Sequence, residues 1–186
     1  MAQPDPRTNL SEAVDFFNTV LRKLLVIDGA QHPETLIASA ARMAGTMALR
    51  SLLPADSTFA PGDSVQLEEA DEFGARMEAI LNSALNALGH TLDYDAIARE
   101  QAPLELSRMN LAQTREHLDP VYLNYCRLSP LTFETAALAS AFVTGILIHD
   151  CRELLPLNRG VLLALAAMVE SIRTAPRPVD TTTPDS

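Results

Sequence analysis

Five side chains in this sequence have the types and spacing that chemistry would need: His149 and Asp150, His117, and the pair Arg42 and Arg50. An imidazole beside a carboxylate makes a natural pair of metal ligands, and a bound metal activates water. If the segment carrying Glu116-His117 meets the one carrying His149-Asp150, two imidazoles and two carboxylates would suit Zn, Fe or Mn. Arg42 and Arg50 are two helical turns apart and therefore share a face. With His32 at the start of the same helix, they would line a pocket for an anion or a carboxylate. Each group also has a plainer reading. A histidine in the last turn of a helix is favoured by the negative end of the helix dipole, and arginines on a helix face are ordinarily solvated or ion-paired.

The His149-Asp150 doublet resembles that of HD-type phosphohydrolases, all-α enzymes whose metal activates water. That pattern requires further His and Asp ligands around the doublet, and neither His32, His90 nor His117 has an aspartate placed as it wants. The ExxH repeats of di-iron bundles are absent. So are GxSxG, P-loop and GxGxxG motifs. Cys126 and Cys151 form no CxxC, and Cys151 is two residues from His149, the wrong separation for a shared helix face. Each thiol reads as a small buried hydrophobe. Tyr122 and Tyr125, one turn apart, read as core rather than as a gate. No cofactor and no resident metal follow from these residues.

The elements that would position these groups are helices. The 186 residues are 47% hydrophobic and 5% aromatic, without tryptophan, and rich in Ala and Leu, a mixture that favours helix over strand. Apolar residues recur at helical spacing over 9–28, 33–53 and 63–88, then again over 130–152 and 158–174, with short helices between. Asn9 with Glu12 suggests a capping box, Asp28-Gly29 a helix end, Asp63 and Ser129-Pro130 helix starts, and Pro120 the start of a short helix. Ala41 and Gly45 make a small face that should cross another helix tightly. The expectation is an all-α, single-domain bundle of about five main helices plus short ones. It spans 9–174, between a flexible 1–8 and a disordered tail over 175–186, and has a buried carboxyl-terminal hairpin.

Charge narrows the partners. The net charge is −10, and ten acids against Arg76 and Arg99 fall between Asp56 and Glu100. Such a chain repels phosphate backbones and anionic membrane surfaces, so neither nucleic acid nor membrane is expected. The apolar runs near the carboxyl end fall short of the roughly 20 residues of a membrane span. The small residues Ala137, Ala141 and Gly145 along one face of the first run suggest a homodimer. The acidic third helix suggests a basic protein partner. No basic, apolar leader opens the sequence, which fits the cytoplasm, and the preference for Arg over Lys fits a GC-rich bacterial genome. The sequence favours a non-enzymatic, dimeric interaction or scaffold module. The alternative is a small-ligand-binding or metal-dependent hydrolase-like domain with its site around His149 and Asp150.

Overall fold

The computed structural model describes residues 6–54, 57–97, 99–100, 104–129 and 131–179. Seven α-helices form among them: α1 (Pro6–Leu24), α2 (Pro33–Leu52), α3 (Glu68–Ala87), α4 (Tyr94–Ile97), α5 (Leu111–Leu128), α6 (Phe133–Cys151) and α7 (Leu157–Ile172). A 3₁₀ turn covers Leu104–Leu106, and the two-residue strands β1 (Val26–Ile27) and β2 (Ala30–Gln31) pair antiparallel. The chain is an all-α helical bundle, as its composition and periodicity predict. Among the described residues no helix is long and apolar enough to cross a membrane.

At the centre lies α2, buried without a break from Thr35 to Arg50. Its Ala, Gly and Ser side chains are short enough for neighbours to close on it from every side. The helices α6 and α7 are buried as expected, but they lie chiefly against α2 rather than against each other. The expectation that Arg42 and Arg50 occupy an outer polar face is therefore wrong. A helix surrounded on all sides has no outer face, and both arginines are interior.

Two close approaches hold this arrangement. At Gly45 a Cβ atom would overlap Ser171 Oγ and sit 2.6 Å from Met168 O on α7, which is the tight crossing the small face predicts. At Gly145 it would lie 2.7 Å from Ala84 Cβ and 3.0 Å from Leu81 O on α3. Ala137 and Ala141 have no exposure either. The small face of α6 that suggested a dimer is thus filled by the chain's own helices. Along the other side of the bundle, Phe17 stacks on Tyr122 and Phe16 on Tyr125, each pair 4.0 Å between centroids. These stacks fasten α5 to α1 and make Tyr122 core.

Several boundaries differ from expectation for local reasons. The helix α1 begins at Pro6, inside the stretch expected to be flexible, so Asn9 is not its cap. It ends at Leu24; Asp28 and Gly29, with φ of 54° and 76°, instead form the turn between β1 and β2, the geometry that Asp-Gly favours in hairpins. The start of α3 is Glu68 rather than Asp63, and Glu68, Glu69 and Asp71 complement its positive end. Pro120 lies inside α5, which Asn110 and Gln113 cap reciprocally. Ser129 ends that helix, and Thr132 caps α6. Of the expected tail, 175–179 is described and in part tied down: Ala175 is buried, and its N–H donates to Asp63 O. Residues 1–5 and 180–186 lie outside the described residues, as does Pro130.

Gly45→Ala should destabilise the protein by about 1–3 kcal/mol, because the clash includes backbone that cannot move aside. Gly74→Ala, where an added Cβ meets nothing within 4 Å, should be neutral or stabilise by up to about 1 kcal/mol. Urea unfolding of the two variants checks this, and equal effects would contradict the packing described.

Candidate functional site

The burial of α2 obliges its polar side chains to find partners inside the protein, since a buried charge without one is very costly. Arg42, 3% exposed, donates through Nε to Glu170 of α7 at 2.8 Å and through Nη1 to the Met109 carbonyl. It thereby pins the segment before α5 and lines no cleft. Arg50 donates through Nη2 to Asp119 Oδ2 of α5 at 2.8 Å and through Nη1 to the Arg177 carbonyl at 2.8 Å. The two side chains of this ion pair are 5% and 11% exposed. Even so, Arg50 Nε and Asp119 Oδ1 are buried without a partner among the described residues.

Arg115, one turn before Asp119, is the third interior arginine and differs from Arg50 in having a partner for each of its three nitrogens. Its Nε donates to Thr46 Oγ1, Nη1 to Ala175 O, and Nη2 to Ser171 O and Thr174 O, all within 3.0 Å. A guanidinium over the last carbonyls of α7 is favoured by the helix dipole. Burial pulls its pKa down to about 10, opposed by Asp119 and reinforced by Arg50, so it stays charged at neutral pH.

Arg50 and Asp119 border a cleft of about 1250 Å³ that runs along α5. Leu111, Leu123 and Cys126 of α5 form one wall; Leu131 and Phe133 close the end near α6; Ala175 and Val179 of the carboxyl segment face them. From Leu111 to Arg127 the helix covers roughly 24 Å at 1.5 Å per residue. An elongated, mostly apolar cleft with a few polar groups at its base is the usual form of a ligand site. Burial pushes the Cys126 thiol up to about 11, which leaves it a poor nucleophile at neutral pH.

The other sequence candidates fall elsewhere. His117 is exposed on the middle of α5, with Nε2 3.1 Å from Leu24 O. Asp150 pairs with Arg22 of α1. His149, in the last turn of α6, meets His90 beyond α3, with Nδ1 and Nε2 2.7 Å apart. Among the described residues, no three His, Cys, Asp or Glu side chains gather as metal ligands. The five candidates therefore form no common site. Asp119 and Arg115 were missed because Pro120 reads as a helix start, which hides that the two stand one turn apart on a single helix. Their fourfold spacing with Leu111 and Leu123 was the available signal.

Set beside known proteins, the chain matches no family model, no curated protein and no solved structure.

The imidazole pair gives a pH dependence. Arg152 Nη1, which can only donate, lies 3.3 Å from His149 Nε2; the His149 proton then sits on Nδ1 and is donated to His90 Nε2. The pKa of His90 is lowered, first by burial and then by His149 and Arg152. A histidine depressed in the folded state contributes stability above its unfolded pKa, and this is lost as the pH falls through the folded value. Melting temperature should therefore drop more between about pH 7.5 and about pH 5 in the native protein than in His90→Gln. Equal drops would show that His90 does not titrate as described.

Proposed function

We propose that this protein is a non-enzymatic binding domain whose small-molecule ligand lies along α5, with its apolar body between Leu123, Phe133 and Val179. The observation that carries this reading is the Arg50–Asp119 pair. A buried ion pair adds little to stability, and hydrophobic side chains of the same volume often do as well or better. Here the pair borders the large cleft while an N–H of Arg50 and an oxygen of Asp119 have no partner among the described residues. These two atoms lie closed to solvent beneath the cleft, and a ligand with a polar group would complete them as the side chains above shift to admit it.

The reading as binding rather than catalysis rests on the groups available. The thiol in the cleft is protonated, no histidine among the described residues borders it, and of its two carboxylates Asp119 is held by Arg50. A second, associative role draws on the outward stripe of α6, where Leu138, Phe142 and Ile146 are half-buried apolar side chains that a second copy of the chain would cover.

Cys126 reports on the cleft directly. In Cys151→Ser, alkylation of Cys126 at about pH 7.5 should be slowed at least about tenfold by saturating N-phenyl-naphthylamine, a neutral apolar fluorophore. In Cys126→Ser, alkylation of Cys151 should be unaffected by the dye. Unchanged modification of Cys126 at saturating dye would contradict the proposal.

A further inference from the structure

We infer that the cleft selects an amphipathic anion, an elongated apolar chain ending in a carboxylate, over neutral or cationic chains of the same length. The inference rests on the reading of the cleft as a ligand site and adds the chemistry of the head group.

Its basis is a local reversal of charge. The chain carries −10 overall, yet the cleft is bordered by four arginines, Arg50, Arg115, Arg127 and Arg177, against two carboxylates, Glu116 and Asp119. Arg50 and Asp119 neutralise each other. The partners of Arg115 are one hydroxyl and three carbonyls, none of which carries a full charge. Arg127 and Arg177 are exposed and make no ion pair among the described residues. The bordering side chains are therefore four cations against two carboxylates, and Glu116 is the bordering carboxylate without an arginine ion pair among the described residues.

The remaining lining sets the rest of the ligand. Leucine, phenylalanine and valine side chains line the walls, so a free inorganic anion would leave most of that surface wet. A chain lying along α5 buries the apolar walls and brings its head to the guanidinium groups, where forked donors match a carboxylate. Low-dielectric walls strengthen that attraction, whereas a cationic head would add to the unbalanced positive charge. The fixed groups therefore discriminate by the sign of the head, and the apolar walls supply affinity to any chain.

The test compares dodecanoate, dodecanol and dodecylammonium, each below its aggregation limit, as competitors of N-phenyl-naphthylamine on the full chain, with helical circular dichroism as a check that the fold survives. Dodecanoate should displace the dye at about tenfold lower concentration than dodecanol, the gain expected of charge-assisted hydrogen bonds, and dodecylammonium should be the weakest. In the double variant Arg127→Gln with Arg177→Gln, whose two side chains are exposed and outside the core, the preference for dodecanoate should fall several-fold while dodecanol is unchanged. Equal displacement by dodecanoate and dodecanol, or preference for the amine, would overturn the inference yet leave the cleft as a ligand site. No displacement by any of the three, with Cys126 alkylated at its free rate, would remove both.

Discussion

Everything else in this structure depends on one constraint: α2 has no solvent face. A helix enclosed from Thr35 to Arg50 must settle each polar side chain inside the protein, because an unpaired buried charge is untenable. Arg42 answers this with Glu170 and the Met109 carbonyl, Arg50 with Asp119 and the Arg177 carbonyl, and Thr46 with Arg115. These contacts position three elements that touch α2 less than α6 and α7 do. They anchor the segment leading into α5, α5 itself, and the chain that leaves α7. The cleft lies between the last two, so its place is set by the polar residues of the buried helix.

The three interior arginines show how similar groups divide between fold and site. Arg115 donates through all three nitrogens and acts as a tie between α2, α5 and the end of α7. Arg42 donates through Nε and Nη1. Arg50 alone of the three keeps a buried Nε without a partner among the described residues, beside an Asp119 oxygen in the same condition. Removing one member of such a pair costs about 3–5 kcal/mol, whereas replacing both with hydrophobes is often neutral. On that principle the pair adds little net stability to the bundle, which is what the proposed reading of a polar head group draws on.

Much of the fold was legible from the sequence, and the reasons for the failures are physical. Alanine, leucine and helical periodicity predict the bundle, and Ala41 with Gly45 predicts the α2–α7 crossing, because small residues act at the level of backbone approach. The centre of the bundle was misplaced. Arg42 and Arg50 read as a polar face, and nothing local reveals that Glu170 and Asp119, far along the chain, supply their partners. Arg50 was read, with Arg42 and His32, as lining an anion pocket from residue type alone, without its partner. Asp119 was hidden by Pro120, which usually opens a helix and here sits within one. The His149 doublet attracted a metal reading from adjacency alone, and the structure joins it to His90 and Arg22 instead.

The central claim is that a ligand meets the buried Arg50–Asp119 pair along α5. Its most direct test is ¹⁵N NMR of the native chain titrated with dodecanoate, following the Arg50 Nε–H resonance and the backbone amides together. The account predicts saturable shifts of Arg50 Nε–H, of amides from Leu111 to Arg127 and of those from Thr174 to Val179, with the amides of α3 unmoved. An unmoved Arg50 Nε–H, or shifts gathered on α3, would contradict it.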